Sequence, residues 1–509
     1  MKLARKHKVV SIAIVAGVTF FPELGQAQQF AIDPDIEDRV DSEPPLASDP
    51  DGLVLEGLRL FTEETFGGNG RTCATCHPVT NNFTIDTEFI ATLPDDDPLF
   101  VAENVSRLSR LENERLMREF GLILENLDGF KKPGMMRGVP HTLGLRVSIQ
   151  PDRGDPSSNR APFPLVHMTG WSGDGAAADG SFKNFALGAV TQHATAGMPR
   201  RGCSTDEFKR NPNPCDFRIP TDAELDAMAA FQLFLGRQNE INLAAMNFAD
   251  PFDGEGDEIN EGKRLFNGEG ANRACSSCHH NAGANDSQGN GRNFATGTNH
   301  HPNAPTCRLG QAPGDGGFGL EPSTTVRRSE ICGPGHTGNA RFFGDGTFNT
   351  PSLIEAADTG PFFHNNIVDT IEEAVAFYTG DVFAASPAGS FGGAFDFDDE
   401  EILRVAAVLR TLNALANIQF SNRLDQIARR QAPVRPELAL LAVEMAVAET
   451  EDASDVLRGS EELGPLYQGA IGLLEEAIDR EQQAIEQRDP SLLVEAIRLK
   501  NAAQDLILD

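Results

Sequence analysis

The chain has 509 residues and a formal net charge of −32, with 75 acidic residues against 43 basic ones. This balance excludes nucleic acid as an expected partner, because a phosphate backbone would be repelled. The length predicts two or three domains.

The first 27 residues have the three parts of an export signal. A basic start is followed by an apolar run over residues 9–21 and by the small-x-small cleavage site Gly25-Gln26-Ala27. The run is short for a membrane span, and no later segment offers about 18 uninterrupted apolar residues. We expect cleavage near Ala27 and a periplasmic protein with no stable membrane span; a retained N-terminal anchor is the alternative. The acidic, Pro-rich residues 28–50 predict an extended lead-in.

Two segments have the pattern Cys-x-x-Cys-His, namely Cys73-Ala74-Thr75-Cys76-His77 and Cys275-Ser276-Ser277-Cys278-His279. Two thiols at this spacing can bind the two vinyl groups of one porphyrin, and the adjacent His then ligates the iron. The alternatives are a redox dithiol and a zinc site shared by the two Cys pairs, but zinc gives no reason for a His after each pair. The pattern predicts two covalent haems c, ligated by His77 and His279.

Each motif belongs to a longer repeat along the chain. Glu56-Gly57-Leu58-Arg59-Leu60-Phe61 precedes the first motif, and Glu261-Gly262-Lys263-Arg264-Leu265-Phe266 precedes the second. Downstream, Val139-Pro140-His141-Thr142-Leu143 is echoed by Thr350-Pro351-Ser352-Leu353. The order of these segments indicates that one structural plan is used twice.

Each half then closes with a helix that begins in a capping box, at Thr221 in the first half and at Asp398 in the second. Helix, haem motif, long loops and closing helix form the plan of a cytochrome c domain. We therefore predict an all-α protein with two cytochrome c-type domains, over residues 51–245 and 246–425. Residues 430–509 have helical spacing, a break at Asp489-Pro490 and neither His nor Cys, which predicts a helical appendage for packing or a partner.

The four remaining cysteines form two close pairs, Cys203 with Cys215 and Cys307 with Cys332. In an oxidising compartment each pair predicts a disulfide that staples a loop without a core of its own. The sequence leaves the connectivity open.

Near the end of the second half, Thr359-Gly360-Pro361-Phe362-Phe363-His364-Asn365-Asn366 is followed by Thr370-Ile371-Glu372-Glu373-Ala374-Val375 and by Phe377-Tyr378. Together with the two motifs, this segment resembles the bacterial dihaem cytochrome c peroxidase and MauG superfamily, over roughly residues 51–420. The resemblance implies a reactive N-terminal haem and a six-coordinate C-terminal haem that feeds or stores electrons. It implies Tyr378, fourteen residues after His364, as the second ligand of that haem. It also implies a possible calcium ion bound through the carbonyls of Thr359 and Pro361.

The residues themselves also favour Tyr378. Met445 is the one Met after the second motif and lies in the predicted appendage, so His/Met ligation from this domain is excluded. A capping box at Thr370 and Glu373 puts Tyr378 on the inward face of a short helix. The chain has 33 Phe and two Tyr, so a retained phenol indicates that its oxygen matters. The alternatives are a buried aromatic without a metal role, or another ligand from His364, His280, His300, His301 and His336.

Trp171 is the single Trp of the chain and lies in Gly170-Trp171-Ser172-Gly173-Asp174-Gly175. This segment resembles the Trp-Asp-Gly-Arg stretch of the superfamily, and the resemblance implies an indole that relays electrons between the haems. A core Trp with its N–H satisfied is the alternative.

The distal side of the first haem departs from the superfamily, which carries a Gln, a Pro and a proton-moving Glu there. The matching stretch begins at Phe185, in the place of the Gln, and reaches Thr195, near the place of the Glu. The acid is therefore missing, and Gln192 and His193 are the polar candidates, with a solvated His as the alternative. An apolar pocket with Phe resembles the dihaem rubber oxygenases, which hold dioxygen at the N-terminal haem.

Three functions stay open. A periplasmic peroxidase would reduce hydrogen peroxide at the first haem, with electrons from a donor protein relayed through the second haem. A MauG-like or rubber-oxygenase-like enzyme would use peroxide or dioxygen to oxidise an organic or protein substrate, with the Gly-rich insertion 281–345 as a wall of the cleft. A non-enzymatic electron carrier would need His141, His167 or His193 to cap the first haem. We favour an enzyme, and the peroxidase first.

Overall fold

The computed structural model describes residues 49–105, 108–110, 112–125, 135–149, 168–173, 181–195, 217–249, 258–269, 273–309, 314–318, 324–392, 394–460 and 463–508. The predicted export signal, nearly all of the acidic lead-in, the Cys203 and Cys215 pair and His167 lie outside the described residues. None of the described helices combines the length and apolar character needed to cross a membrane.

The described residues form mainly α-helices, which confirms the all-α prediction. The longer helices are α1 (Pro50–Glu63), α2 (Phe182–His193), α3 (Asp222–Phe234), α4 (Glu258–Phe266), α5 (Asp399–Gln431), α6 (Pro436–Arg458), α7 (Gln468–Gln487) and α8 (Leu493–Ile507). Short helices cover Thr87–Thr92, Val101–Asn104, Glu114–Phe120, Leu145–Ser148, Pro305–Arg308, Arg328–Ile331, Ile371–Phe377, Asp381–Ala384, Pro387–Gly392 and Leu463–Leu466.

The strands of the described chain are short and lie in loops of the two halves. In the first half, β1 (Leu122–Glu125) pairs antiparallel with β2 (Met135–Gly138). In the second half, β3 (Asn293–Phe294) pairs antiparallel with β7 (Phe348–Asn349). Between them, β4 (Gly314–Asp315), β5 (Thr324–Arg327) and β6 (Asn339–Phe343) form a sheet with the order β4-β6-β5. A disulfide between Cys307 and Cys332 ties this loop region together, which confirms the predicted pairing.

The glycine of the Glu-Gly-x-Arg-Leu-Phe repeat marks a helix crossing in each half. A Cβ atom on Gly57 of α1 would lie 2.0 Å from the carbonyl oxygen of Ala227 in α3. A Cβ atom on Gly262 of α4 would lie 2.0 Å from the carbonyl oxygen of Arg404 in α5. The helix before each motif therefore packs directly against the backbone of the closing helix, and only glycine permits this approach. The repeat in the sequence thus corresponds to a repeated helix pair.

Three predicted capping boxes are confirmed, at Thr221, Thr370 and Asp398, and each starts a helix. In each of the three, a glutamate three residues later closes the box by accepting from the backbone N–H of the cap residue. These local signals place the closing helices α3 and α5 and the short helix Ile371–Phe377.

Helix α5 joins the two halves and the C-terminal helices. Its first part, including Val408 and Leu415, belongs to an apolar core with Phe266 of the second half. Its later part, including Phe420, belongs to a core with Phe61 of the first half. Helices α6, α7 and α8 contribute to both cores, so the region after α5 is packed against both halves. The predicted domain boundaries stay a prediction.

A buried charged cluster also ties the C-terminal helices to α5. Lys500 of α8 is fully buried and donates to Asp425 of α5 at 2.7 Å and to Glu481 of α7 at 2.5 Å. The ammonium group also donates to the hydroxyl of Ser421 at 2.7 Å. A lysine can be buried in this way only when its donors are paired. This cluster therefore fixes the positions of α7 and α8 against α5.

Candidate functional site

The two Cys-x-x-Cys-His segments have the same local structure. Each begins with a short 3-10 helix, Cys73–Thr75 in the first segment and Cys275–Ser277 in the second. In both, the backbone N–H of the His donates to the carbonyl of the first Cys at 3.0 Å. The chain therefore presents two thiols and one imidazole in the same arrangement at two places.

Each motif histidine is oriented by a backbone carbonyl. The Nδ1 atom of His77 lies 2.8 Å from the carbonyl oxygen of Phe83, and that of His279 lies 3.2 Å from the carbonyl oxygen of Gly283. A carbonyl can only accept, so Nδ1 carries the proton and the Nε2 lone pair is left for a metal. Burial lowers the pKa of both rings, that of His279 to about 4. Both rings are therefore neutral at pH 7, which is the form that ligates iron.

The four motif cysteines are free thiols. Burial raises the pKa of Cys73 to about 12, that of Cys76 to about 11 and that of Cys275 to about 12, and it also raises the pKa of Cys278. These thiols are therefore protonated at pH 7 and are not activated nucleophiles. Their placement fits attachment of a cofactor better than a redox dithiol, which needs a lowered pKa.

An arginine precedes each motif by two residues, at Arg71 and Arg273, and the sequence analysis missed both. Arg71 is buried and forms a bidentate ion pair with Glu112, at 2.5 and 3.1 Å. Arg273 lies over the rings of Phe383 and Phe395, with its guanidinium carbon 5.0 and 5.4 Å from the centroids. The repeat Arg-x-Cys-x-x-Cys-His in the sequence is the signal that could have identified them.

A large apolar cavity adjoins the second motif. The volume of this cavity is about 240 Å³. Cys275, Cys278 and His279 line one part of it, and residues from the first half, including His141 and Trp171, line another. The insertion 281–345 also contributes to the wall, through Phe294, Thr296 and Thr298. The cavity therefore joins the second motif to the boundary between the halves.

Tyr378 lines this cavity at the end of the short helix Ile371–Phe377. Its ring is enclosed by other aromatic rings, and no described residue forms a hydrogen bond with its hydroxyl group. Burial raises the pKa of Tyr378 above its usual value, and the nearby Arg273 opposes this. The hydroxyl would lose its proton only to a stronger positive charge, such as a ferric iron. The surrounding rings are Phe363, Phe377, Phe383 and Phe395, with centroids 6.2, 5.4, 4.9 and 6.1 Å from that of Tyr378.

His364 also lines the cavity, but both of its ring nitrogens have partners. Nε2 lies 3.2 Å from the amide oxygen of Asn299, and Nδ1 lies 3.4 Å from the hydroxyl of Thr298. The ring stacks on Phe348 at a centroid distance of 3.6 Å. Burial lowers the pKa of His364 to about 3. The other candidate ligands, His280, His300, His301 and His336, do not line the cavity.

Trp171 and Phe185 are brought close together. The indole N–H of Trp171 donates to the carbonyl of Gly138 at 2.8 Å, so its polar atom is satisfied. A Cβ atom on Gly170 would lie 3.3 Å from the ring of Phe185, which packs against this segment. Phe185 is also stacked with Phe182 at a centroid distance of 6.4 Å. We call the cavity beside the second motif the second cavity. Gly170 and Trp171 belong to its wall, so this wall is connected to α2 through Phe185.

Helix α2 packs beside the first motif. Its residues Ala186 and Val190 share an apolar cluster with Cys73. Asn69, just before the motif, donates to the backbone carbonyls of His193 and Thr195 at 2.7 and 2.9 Å. Burial lowers the pKa of His193 to about 3, and the positive charge of Arg71 lowers it further. The end of α2 is therefore held beside the segment that leads into the first motif. Gln192 is half-buried on the same turn, and Thr195 is buried.

The predicted calcium site lies at the boundary between the halves. Thr359 and Pro361 line the cavity, and the side chain of Asn82 donates to the carbonyl of Asp358 at 3.1 Å. In the described part of the chain, no group of three or more His, Cys, Asp or Glu side chains is placed to hold a metal ion. A site built from carbonyls stays a prediction.

Comparison with known proteins adds little to this picture. No protein-family model and no curated protein sequence matches the chain. A crystal structure of a MauG-like protein associated with microbial copper homeostasis aligns with 77% of this chain and 95% of its own chain. The sequence identity is 17% and the TM-score is 0.36, which is too low a similarity to assign a family. The proposed function therefore rests on the geometry of the site.

Proposed function

We propose that the protein is an exported oxidoreductase with two haems c, attached at Cys73 and Cys76 and at Cys275 and Cys278. The observation that carries the proposal is the repeated geometry of the motifs, with free thiols and a histidine whose Nδ1 is held by a carbonyl. When bound, haem c would supply an iron that accepts and donates single electrons and that binds oxygen or peroxide. Covalent attachment of this cofactor takes place outside the cytoplasm, which agrees with the predicted export signal and a periplasmic location.

We propose that Tyr378 is the second protein ligand of the haem iron at His279. The proposal is supported by the position of Tyr378 in the cavity wall and by the absence of a hydrogen-bond partner among the described residues. His364, the main alternative, already has a partner at each ring nitrogen. A phenolate ligand favours the higher oxidation state of the iron. This haem would therefore serve as an electron store or relay, in contact with a donor protein.

The haem at His77 would be the reactive one, and the peroxidase-like reaction is the function that we favour. His193, at the end of α2, is neutral at pH 7, so its ring could accept a proton from peroxide and then pass it on to the leaving oxygen. Gln192 is a second polar candidate on the same helix. Electrons would pass between the two sites by way of Trp171, which lines the cavity and follows Gly170, the residue that lies beside the ring of Phe185.

A second candidate is an oxygenase or MauG-like oxidation of an organic or protein substrate. The stacked Phe182 and Phe185, together with the lack of any Asp or Glu in α2, favour an apolar pocket for dioxygen. A pocket without an acid is poorly suited to moving protons onto a leaving oxygen. The choice between the two reactions depends on whether His193 takes part in proton transfer.

The experiment is a spectroscopic titration of the purified protein. Optical and EPR spectra are recorded before and after addition of hydrogen peroxide, and separately with the reduced protein and dioxygen. We expect two haems per chain, one low-spin and one high-spin, with the high-spin signal changing when peroxide is added. A response to dioxygen and none to peroxide would favour the oxygenase. Two low-spin haems whose spectra do not change with either oxidant would indicate an electron carrier. Fewer than two haems per chain would refute the proposal.

The His193→Phe variant tests the proton-transfer role. We expect a response to peroxide at least tenfold slower than in the wild type, because the lost group is the one that takes up the proton from peroxide. Gln192→Leu tests the second polar candidate, on the same turn of α2. An unchanged rate in His193→Phe would remove His193 from the mechanism.

A further inference from the structure

One nitrogen atom in the wall of the second cavity has no partner. His141 lines the cavity, and its Nε2 atom lies 3.3 Å from the carbonyl oxygen of Ser352. The carbonyl accepts, so Nε2 carries the proton and Nδ1 of the neutral ring has a free lone pair. Nδ1 is buried and has no hydrogen-bond partner among the described residues. Burying a polar atom unpaired is unfavourable, so we expect the molecule that fills the cavity to pair with it.

The position of His141 in the repeat is also informative. It follows Pro140 in the first half, as Ser352 follows Pro351 in the second half. The two equivalent positions contact each other through the hydrogen bond from His141 to Ser352. Burial lowers the pKa of His141 to about 4. His141 therefore lies at the junction of the repeats, between the first motif and the second cavity.

The other basic side chains of the described cavity wall already have roles or partners. His279 follows the attachment cysteines, and both ring nitrogens of His364 are engaged. Arg273 donates to the carbonyl of Ala388 at 3.1 Å and covers the ring of Phe383. Haem carries two carboxyl groups, and the apolar cavity cannot accommodate a carboxyl group without a partner. His141 is the basic group with a vacant nitrogen.

We propose that His141 is a positioning residue for the haem at His279, and that its Nδ1 forms a hydrogen bond with a carboxyl group of that haem. The carboxyl group would donate its proton to Nδ1, and the bond to Ser352 would hold the ring in place. The edge of the cofactor is then anchored at the junction of the two repeats. This inference rests on the proposed attachment of haem c at both motifs.

Two conservative variants separate the two ring nitrogens. In His141→Asn the amide group lies near the place of Nδ1 and can pair with a carboxyl group through its oxygen or its nitrogen, whereas in His141→Gln it lies near the place of Nε2. The midpoint potential of each haem is measured by spectroelectrochemical titration of the purified dihaem protein, with Tyr378→Phe identifying the signal of the second haem. We expect His141→Gln to lower the potential of the second haem, because a carboxylate that has lost its partner stabilises ferric iron. The potential of the first haem should not change, and His141→Asn should resemble the wild type.

The inference is overturned if both variants have the potentials of the wild type. It is also overturned by the opposite pattern, a shift in His141→Asn and none in His141→Gln, which would show that only the contact with Ser352 matters. Loss of a low-spin signal in both variants would identify His141 as an iron ligand instead. A wild-type protein with fewer than two haems would refute the proposed function itself, so the two failures are distinguishable.

Discussion

Replacing Tyr378 with Phe removes a single oxygen atom from the wall of the second cavity. The ring keeps its contacts with Phe363, Phe377, Phe383 and Phe395, because these involve the ring alone. No described residue forms a hydrogen bond with the hydroxyl group, so the substitution breaks none. Its effect on the holoprotein therefore reports on the interaction between the oxygen and the cofactor.

The change in stability distinguishes the two roles of this residue. Tyr378 is partly exposed, and its hydroxyl is not among the buried polar atoms that have no partner. If Tyr378 is only a packed aromatic residue, water can solvate the hydroxyl, and Tyr378→Phe should change the free energy of unfolding by no more than about 0.5 kcal/mol. If the oxygen binds iron, the substitution removes a ligand and lowers the free energy of unfolding. If the oxygen binds iron, Tyr378→Phe should also change the second haem from low-spin to high-spin and raise its midpoint potential.

The assay is urea denaturation of the oxidised holoprotein together with its EPR spectrum. Tyr467, the other Tyr of the chain, supplies the matched control. Its hydroxyl donates to the carbonyl of Ala249 at 3.3 Å, and it does not line the cavity. Tyr467→Phe should lower the free energy of unfolding by about 0.5–1.5 kcal/mol, the usual worth of one hydrogen bond, and leave both haem signals unchanged. A Tyr378→Phe protein that is at least as stable as the wild type and keeps its low-spin signal would refute the ligand role of Tyr378.

Three further predictions concern stability, each measured by urea denaturation of the holoprotein. Gly57→Ala places a Cβ atom 2.0 Å from a backbone oxygen of α3, so it should lower the free energy of unfolding by about 1–3 kcal/mol. Gly472→Ala is the control: a Cβ atom there would have no atom within 4 Å, and the substitution should raise the free energy of unfolding by about 0.5–1 kcal/mol. Equal effects of the two substitutions would contradict the helix crossing at Gly57. Burial raises the pKa of Glu355 from 4.5 to about 8, so the folded protein holds a proton that the unfolded chain has lost. Stability should therefore fall by about 1.4 kcal/mol per pH unit between these values, and a Glu355→Gln protein with an unaltered slope would count against this. Arg71→Met leaves Glu112 buried without its partner and should cost about 3–5 kcal/mol; adding Glu112→Gln should recover part of that loss, and a small effect of the single change would argue against a buried pair.

The helical architecture could be predicted where the signals are local. Capping boxes at Thr221, Thr370 and Asp398 require only residues three positions apart, and all three are confirmed. The pairing of Cys307 with Cys332 was predictable because they are close in sequence and lie in one loop. The contribution of α5 to both apolar cores was not predictable, because it depends on contacts between distant parts of the chain.

The candidate site could be predicted only in part. The motifs identify the attachment residues, but their spacing says nothing of what lies opposite each histidine. The sequence left Tyr378 and five histidines open as ligands, and the structure shows that, of these, Tyr378 and His364 line the cavity. The unpaired Nδ1 of His141 was not predictable, because it follows from a contact between the two halves, 211 residues apart in sequence.

The sequence by itself determined the all-α class, the starts of the closing helices, one disulfide and the two attachment motifs. Each of these depends on side chains that are neighbours along the chain, so spacing is sufficient to reveal them. Only the tertiary structure decided which side chains share the cavity with His279, which histidine is already paired and which nitrogen is left free. These properties depend on packing between the halves, where burial and unsatisfied hydrogen bonds are set by contacts that no local pattern records.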